Sequence, residues 1–438
     1  MKEEMIGEPY ETKDTSKSML IALSSRIIVI IVLILCAIIL GPVNNLNMLG
    51  IIDIPITRGK DVFSLFTSLF VRWDSGWYLN IAQSGYPLGF TKPLVGFDRY
   101  YTPLADPQWA FFPLYPAAMR ALASLIVGIN NVKTPSLIVS GIIISNTAFF
   151  VSIYFFYKLT NKLFNSTKIA IISVAFYSFW IATVFFSAVY SEALFMALAL
   201  GSFYYLEEKR YYRAIPLGML AAFTRSDGFL ITIPFFIYAL QIKIPKLYEK
   251  CKCGCGKLLE AKQSFIKSHQ TNFKLFLVSA IVASPYLIWN LAGYFVAARI
   301  FPVQEIARTV NWGAYPPFIS QFSYYQTATI FNEFLLTALI MIVAIPTIYF
   351  IVKIKKVFTL ESNTLKYWAF YASIVYVLFT QSFIFSIIRY AIPMLPIYWV
   401  AAKIYTKNRL IGLILLGLMV SLSIIGVYLF EIQSVYLL

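Results

Sequence analysis

Long apolar segments alternate with short polar segments along most of this chain. The apolar runs are about 20 residues long, which is the length an α-helix needs to cross the hydrocarbon core of a bilayer. They predict about eleven membrane-spanning helices, at residues 19–41, 136–157, 168–187, 189–206, 212–225, 228–240, 275–297, 334–353, 366–387, 390–405 and 408–430. The pattern therefore predicts an all-α polytopic membrane protein.

Basic residues are concentrated in alternate polar segments, and this distribution predicts the orientation of the helices. The longest such segment, residues 241–274, carries eight Lys against two Glu. Cytoplasmic loops are enriched in Lys and Arg, so these segments are predicted to face the cytoplasm. Arg26, inside the first apolar run, is expected to extend toward the cytoplasmic interface.

This orientation defines the predicted domain organisation. A cytoplasmic tail, residues 1–18, precedes a single transmembrane domain, residues 19–430, and an extracytoplasmic tail, residues 431–438, follows it. Two long outer loops, residues 42–135 and 298–333, are rich in Pro and aromatic residues and nearly balanced in charge. Long loops that are not disordered are usually functional, so the active site is predicted on the extracytoplasmic face.

Composition supports the membrane assignment. The chain has 438 residues, of which 59% are hydrophobic and only 13% charged, and its net charge is +16. In a soluble protein this charge would suggest nucleic acid as a partner. Here the Lys and Arg residues lie mostly between apolar runs, so topology explains them and no nucleic-acid partner is predicted.

A cysteine cluster interrupts the basic loop. Cys251, Cys253 and Cys255, with His269, could bind zinc. Their spacing is not that of a zinc knuckle, and His269 is the chain's one His. Reduced thiols on a cytoplasmic loop are the alternative interpretation, and no metal site is predicted.

The segment RWDSGWYLNIAQSGYP, residues 72–87, places a carboxylate among large aromatic side chains in the first outer loop. Trp73, Trp77, Tyr78 and Ile81 share one side of a short predicted helix, which is expected to lie on the membrane surface with its aromatics toward lipid. Asp74 at the lipid–water boundary could act as a general base toward a hydroxyl. Alternatively, Asp74 caps the helix or pairs with the adjacent Arg72.

Other polar residues lie at outer turns on the same predicted face. Glu192 follows Tyr190 and Ser191, Arg225 precedes Asp227, and Arg389 precedes a Pro-rich segment. Ionisable groups at membrane depth are costly, so each is a functional candidate. A Glu192–Arg225 pair that only holds helices together is the alternative. The candidate binding residues are Arg72, Glu192, Arg225, Arg389, Tyr325 and Gln326, the last two in the second outer loop.

Motifs for nucleotide-driven chemistry are missing from the sequence. It contains neither a phosphate-binding P-loop nor a GxGxxG before a helix. Nucleotide sugars are not available on the extracytoplasmic face. A transferase facing outward is therefore expected to use a lipid-linked donor.

Five motifs occur in the order seen in a known family. RWDSGWYLNIAQSGY, AFFPLYP at 110–116, YSEALF at 190–195, LAAFTRSDGFL at 220–230 and RYAIPMLPIYW at 389–399 together resemble the PIG-V family. The members of this family are GPI mannosyltransferases that use dolichyl-phosphate-mannose. The resemblance covers residues 60–400.

The resemblance implies a GT-C glycosyltransferase-like bundle with a helical first outer loop. It implies that Asp74 is the catalytic base, that the reaction inverts the anomeric carbon, and that neither metal nor other cofactor is needed. Arg225 and Arg389 are the candidates for stabilising the departing phosphate. The implied partners are a polyprenyl-phosphate sugar donor, a glycolipid or glycan acceptor, membrane lipid and a small membrane subunit.

The composition, rich in Ile, Lys and Tyr, departs from the eukaryotic family and suggests an archaeal homologue. A GPI precursor can then not be assumed as the acceptor, which is expected to be a glycolipid or a glycan. The transferred sugar is mannose or, as an alternative, a related hexose. Localisation is the cell membrane in an archaeon and the endoplasmic reticulum in a eukaryote. A flippase for a lipid-linked saccharide and a non-catalytic subunit of a glycosylation complex are the rival functions.

Overall fold

The computed structural model describes residues 8–40, 69–87, 107–241, 277–295, 363–380 and 387–431. Regular structure in these residues is entirely helical, which confirms the predicted all-α class for them. The α-helices are α1 (Glu8–Leu40), α2 (Ser75–Ser84), α3 (Leu114–Val127), α4 (Thr134–Phe164), α5 (Thr167–Ser178), α6 (Glu192–Glu207), α7 (Tyr211–Ala222), α8 (Ser226–Gln241), α9 (Leu277–Phe295), α10 (Leu365–Thr380), α11 (Ile387–Tyr390), α12 (Leu395–Lys407) and α13 (Arg409–Glu431). Short 3₁₀ turns lie at Pro107–Ala110, Ile129–Asn131 and Thr183–Phe186, and α8 opens with another, Ser226–Ile231.

Several helices are long and apolar enough to cross a bilayer, so the chain is an integral membrane protein, as predicted. Four of the described helices meet both criteria: Asp14–Ile39 within α1, Thr134–Phe164, Leu277–Phe295 and Arg409–Glu431. Shorter apolar helices accompany them: Leu114–Val127, Thr167–Ser178 and Ser226–Gln241. The count of eleven spans and the orientation of the termini stay predictions, because several predicted spans and loops lie outside the described residues.

Helix α4 lies at the centre of the described bundle. It packs against α6, α5 and α3, while α6 packs along α7 and α12 packs against α5 and α13. Phe149, Phe156 and Tyr157 of α4 are fully buried in one apolar core that runs through these helices. Apolar packing therefore fixes the ends of α6, α11 and α13, where the charged residues lie.

The predicted span 168–187 is not one helix. Helix α5 ends at Ser178, and residues 179–191 form a buried irregular segment that contains a 3₁₀ turn. Buried backbone outside regular structure needs other hydrogen-bond partners. Arg26 of α1 supplies several of them, because its Nη1 donates to the Thr183 carbonyl oxygen at 2.9 Å and to Ser187 Oγ at 3.0 Å.

The expectation that Arg26 extends to the membrane interface is therefore wrong. Its side chain is 3% exposed and its guanidinium lies over the Phe149 ring, 4.2 Å from the ring centroid. A guanidinium with five donors in a fixed fork is suited to several oxygen acceptors at once. The irregular segment offers these acceptors inside the protein.

Helix α2, in the predicted first outer loop, is confirmed as a helix, but its aromatic side chains are covered by the protein itself. Trp77, Tyr78, Leu79, Ile81 and Ala82 are all buried against the rest of the protein. The aromatic residues that were expected to contact lipid instead contact other aromatic residues. Protein packing rather than lipid therefore holds the RWD segment in place.

The AFFPLYP motif supplies the surface on which α2 packs. Phe111 stacks on Trp77 with ring centroids 5.9 Å apart and meets Tyr78 edge-on at 5.3 Å. Pro113 lies at the N-cap of α3, and Tyr115 Oη donates to the Gly141 carbonyl oxygen of α4 at 3.2 Å. The motif thus joins α2 to the central helix.

Candidate active site

Asp74 lies at the N-cap position of α2, yet its side chain makes no capping hydrogen bond. Its backbone is held instead by Tyr190, whose hydroxyl accepts from Asp74 N at 3.2 Å and donates to the Arg72 carbonyl oxygen at 2.9 Å. Trp73, between these two anchors, has a positive φ of 41°. The backbone is thereby fixed on both sides of Trp73, while the Asp74 carboxylate is left for other contacts.

The carboxylate of Asp74 pairs with Arg389 of α11. Arg389 Nη1 lies 2.6 Å from Asp74 Oδ2, although the two residues are 315 positions apart in the chain. Both structural alternatives for Asp74 are thus excluded, since Asp74 neither caps α2 nor pairs with Arg72. Arg72 points away from the site and pairs with Glu431 Oε2 at 2.8 Å.

Glu192, the first residue of α6, links the two arginines of the site. Its Oε1 accepts from Arg225 Nη1 and lies 3.2 Å from Arg389 Nε. Arg225 Nε in turn donates to Asp227 Oδ1 at 3.0 Å. Four segments, distant in sequence, thus bring their charged residues into one contiguous cluster: Asp74, Arg389, Glu192, Arg225 and Asp227.

The RSDG turn places Arg225 and Asp227 by bringing two backbone segments close together. A Cβ at Gly228 would lie 2.8 Å from both the Ala221 carbonyl oxygen and the Ala222 Cα. Only glycine fits this approach without moving the end of α7. The turn therefore holds Arg225 and Asp227 against the start of α6.

Aromatic rings enclose the two guanidiniums. Tyr390 lies beside both, with its ring centroid 4.9 Å from Arg225 Cζ and 5.4 Å from Arg389 Cζ. The ring centroid of Tyr190 lies 5.2 Å from Arg389 Cζ. Ring faces attract cations while excluding water, so these residues strengthen the ion pairs between them.

Three carboxylates face two guanidiniums in this cluster. Glu192, Arg225, Asp227 and Arg389 are each at most 8% exposed, whereas Asp74 is 18% exposed. Glu192 Oε2 is buried without a hydrogen-bond partner. A buried oxygen without a hydrogen-bond partner is uncommon in a folded protein. A bound hydroxyl group that donates to it is one explanation. Asp74 is the member of the cluster most open to a reactant.

Tyr78 links α2 to the start of α6 beside the cluster. Its hydroxyl lies 2.8 Å from Ser191 Oγ. Burial raises the pKa of the Tyr78 phenol, and the nearby Glu192 carboxylate raises it further. Tyr78 is therefore protonated at neutral pH, which makes it a hydrogen-bonding group rather than a base.

The structure brings together four of the seven predicted site residues: Asp74, Glu192, Arg225 and Arg389. Arg72 is adjacent in sequence but its side chain is directed elsewhere, and Tyr325 and Gln326 lie outside the described residues. The cysteine cluster and the second outer loop also lie outside them. Within the described ranges, no group of three or more His, Cys, Asp or Glu side chains could hold a metal ion.

Asp227, Tyr390 and Glu431 were not among the predicted site residues. Asp227 lies in the same motif as Arg225, and Tyr390 directly follows Arg389. Their positions in these motifs could have indicated them. Glu431 lies within the predicted C-terminal tail, yet it is the last residue of α13 and is fully buried. The sequence feature that could have indicated Glu431 is its position as a carboxylate at the end of an apolar span.

The chain is similar to known proteins in sequence and in structure. The chain is 26% identical over 193 residues to GPI mannosyltransferase 2 of Schizosaccharomyces pombe, which covers 42% of this chain and 36% of that protein. It is 29% identical over 179 residues to GPI mannosyltransferase 2 of Drosophila melanogaster, covering 38% and 34%. A third such protein, from Cryptococcus neoformans, is 26% identical over 226 residues, covering 50% and 46%. The predicted resemblance is confirmed.

These alignments span about a third to a half of the length of the curated relatives. No family model matches the chain. Among solved structures, the oligosaccharyltransferase AglB of Archaeoglobus fulgidus, in complex with an inhibitory peptide and a dolichol-phosphate, is similar over 95% of this chain and 56% of that one, with a TM-score of 0.45 and 13% identity. An Archaeoglobus fulgidus oligosaccharyltransferase tethered to an acceptor peptide gives a TM-score of 0.44 and 15% identity, covering 95% of this chain and 55% of that one.

Proposed function

We propose that this chain is a membrane mannosyltransferase of the GT-C type. It moves a mannose, or a related hexose, from a polyprenyl-phosphate donor to a glycolipid or glycan acceptor on the extracytoplasmic face. The observation that carries the proposal is the pairing of Asp74 with Arg389 at the exposed edge of a buried ionic cluster. The sequence similarity to GPI mannosyltransferases supports the choice of sugar.

Asp74 is the proposed general base. The acceptor hydroxyl oxygen attacks the anomeric carbon of the sugar, and its proton passes to the Asp74 carboxylate as the new C–O bond forms. The bond from the anomeric carbon to the phosphate oxygen breaks on the opposite side, so the configuration inverts. A base must lie within hydrogen-bond reach of the proton it removes, and Asp74 is the carboxylate most accessible to a substrate.

Arg389 and Arg225 are proposed to stabilise the departing polyprenyl phosphate. Negative charge develops on the phosphate as the glycosidic bond breaks, and preformed cations in a water-poor site oppose this charge without reorganising. The guanidinium of Arg389 contacts both Asp74 and Glu192, so base and phosphate site share one residue. This arrangement keeps the attacking and leaving groups in a fixed relation.

Glu192 is proposed to hold a substrate hydroxyl group. One of its oxygens accepts from Arg225, while Oε2 is buried without a hydrogen-bond partner. A sugar hydroxyl that donates to Oε2 would remove this unsatisfied acceptor. The Glu192 carboxylate would then bind the sugar hydroxyl through Oε2 and neutralise Arg225 through Oε1.

The proposal is tested with the purified full-length protein and its Asp74→Asn variant. Each is incubated with polyprenyl-phosphate-[¹⁴C]mannose and a lipid extract of the source membrane. Transfer of label by the wild type is expected to fall by about 10³-fold in Asp74→Asn, since general-base catalysis contributes 10²–10⁴-fold. Glu208→Gln, at a partly exposed carboxylate that pairs with Lys162, is the matched control and should transfer normally.

Equal transfer by the wild type and Asp74→Asn would move the base elsewhere, and Glu192 would be examined next. If neither transfers label, the protein is reconstituted in vesicles and scored for movement of the lipid-linked saccharide between leaflets. Movement there would replace the transferase with a flippase. Its absence, together with restored transfer on adding a partner, would indicate a subunit of a larger glycosylation complex.

The transfer is proposed to require no metal ion, because two guanidiniums supply the positive charge for the phosphate. The measurement is label transfer after exhaustive treatment with EDTA, with and without added Mg²⁺ or Mn²⁺. Unchanged transfer is expected. Activity that is lost with EDTA and restored by a single cation would contradict this part of the proposal.

A further inference from the structure

The C-terminal end of α13 is fixed firmly against the RWD segment. Leu429, Phe430 and Glu431 end this helix and are all buried. Phe430 meets Trp73 and Phe185 edge-on, each with ring centroids 5.5 Å apart. Trp73 precedes Asp74, and Phe185 lies beside the Arg389 guanidinium, at 5.5 Å. One side chain of α13 thus touches the neighbours of both members of the central ion pair.

Glu431 and Arg72 form an ion pair in which neither side chain is exposed to solvent. Arg72 Nη2 lies 2.8 Å from Glu431 Oε2, and both side chains are 0% exposed. Fully buried pairs of this kind are often no more stabilising than apolar residues of similar size. Stability alone therefore gives a weak reason for the pair, whereas fixing the orientation of Arg72 gives a stronger one.

The backbone between Arg72 and Asp74 needs such an anchor. Trp73 has φ of 41°, a left-handed conformation that a bulky residue rarely adopts. Conformations of this kind persist when the surrounding contacts determine them. Tyr190 fixes the segment through two backbone atoms, and Glu431 fixes it through the Arg72 side chain.

Helix α13 is itself placed by a close backbone approach. A Cβ at Gly426 would collide with the Ile181 carbonyl oxygen, so the helix lies directly against the buried irregular segment between α5 and α6. That segment leads into Tyr190 and Glu192. The end of α13 and the start of α6 are therefore positioned by a common element.

We propose that Glu431 is a positioning residue for Asp74, acting through Arg72 and Trp73. This inference rests on the proposed function of Asp74 as the base. The ion pair holds the left-handed turn at Trp73, and that turn aims the Asp74 carboxylate at Arg389 and at the acceptor hydroxyl. Glu431 touches no reacting group, and its effect is on the geometry of the base.

The test replaces the ion pair by apolar residues, because removing one partner alone would leave a buried charge. In Arg72→Met/Glu431→Leu the protein should fold with an unchanged thermal midpoint in detergent. Its kcat should fall by about tenfold or more, while KM for donor and acceptor stays within twofold, since small misplacements of a reacting group affect the chemical step. Glu431→Gln, which keeps shape and hydrogen bonding, should show a smaller loss of kcat.

The matched control is Lys366→Met/Glu207→Leu, which replaces another buried ion pair. Lys366 Nζ lies 2.8 Å from Glu207 Oε1, at the opposite end of α6 from Glu192. Its kcat should equal that of the wild type. An unchanged kcat in every folded variant of the Arg72–Glu431 pair, or an equal loss in the control, would overturn the proposal.

A second readout separates this inference from the proposed function. The protein has eight Trp, and labelling with 5-fluorotryptophan gives ¹⁹F resonances in which Trp73→Phe identifies the Trp73 signal. This signal should shift or broaden in Arg72→Met/Glu431→Leu and stay unchanged in the control. If the wild type transfers no mannose, the proposed function fails, while an unmoved Trp73 signal in the folded double variant overturns the positioning role itself.

Discussion

The two ends of helix α6 both carry a buried carboxylate, but the carboxylates have different surroundings. Glu207, in the last turn, accepts from Lys366 Nζ at 2.8 Å and from Tyr367 Oη at 2.7 Å. Glu192, in the first turn, lies about 23 Å away along the helix axis, given a rise of 1.5 Å per residue. There one carboxylate is shared by two guanidiniums, and its second oxygen is left without a partner.

This difference separates a structural ion pair from a candidate site. At the Glu207 end, regular helices pack together, and the charges join α6 to α10. At the Glu192 end, irregular segments converge, two guanidiniums face three carboxylates, and Asp74 is partly exposed. Burial of charge alone does not indicate function, whereas shared partners, unsatisfied oxygen atoms and an accessible member together do.

Replacement of Arg389 should give the largest change. Arg389→Met removes the cation that contacts Asp74 and Glu192, so transfer should fall by about 10³-fold, in the range seen when one charge-stabilising donor is removed. Mannose transfer is measured with protein whose folding has been checked by its thermal midpoint. Arg389→Lys is the companion variant, and a Lys enzyme with full activity would contradict the need for a guanidinium.

Lys366→Met should act on stability alone. It leaves Glu207 buried without its cation, which should lower the free energy of unfolding by about 3 kcal/mol. The thermal midpoint in detergent should fall, while transfer per folded molecule stays at the wild-type level. The control is Lys162→Met, whose pair with Glu208 is half exposed and should contribute little. A loss of activity in Lys366→Met at low temperature would remove the distinction between the two ends of α6.

Glu192→Gln should reduce transfer by about 10²-fold, because it removes a charge that orients both arginines and a candidate acceptor for a substrate hydroxyl. The measurement compares kcat and KM for the donor. Glu207→Gln is the matched substitution at the other end of the same helix and should leave both constants unchanged. Similar kinetics for the two variants would show that the Glu192 end is structural as well.

Tyr190→Phe should have the smallest of these effects. It removes the hydroxyl that bridges Asp74 N and the Arg72 carbonyl oxygen, so kcat should fall by about tenfold as the base loses its fixed position. The matched control is Tyr177→Phe, which removes a comparable buried hydroxyl that lies in the core, 3.1 Å from Ser152 Oγ. Equal kinetics for Tyr190→Phe and the wild type would indicate that packing alone positions Asp74.

Much of the site was predictable because its residues lie in recognisable motifs. Asp74, Glu192, Arg225 and Arg389 each follow or end an apolar run, where a charged residue is costly without a use. Periodicity also predicted the helix that became α2. It could not predict that this helix would be buried, since aromatic residues at helical spacing are equally suited to lipid and to protein.

The pairing of the charges could not be read from the sequence. One alternative in the sequence analysis paired Asp74 with Arg72, because the two are close in the chain. The structure pairs each with a residue more than 300 positions away, Glu431 and Arg389 respectively. Similarly, Arg26 was expected at the membrane interface. Its position in the first apolar run gives no information about the oxygen acceptors of residues 178–187, which are distant in sequence.

The sequence by itself determined the class of this protein, because helix length and apolar composition are local properties set by the bilayer. It also indicated which residues are candidates for chemistry. The tertiary structure alone decided which carboxylate meets which guanidinium, where burial leaves one oxygen unsatisfied, and which side chain remains accessible. These outcomes depend on contacts between segments far apart in the chain, and the energy of a buried charge is set by those contacts rather than by its neighbours in sequence.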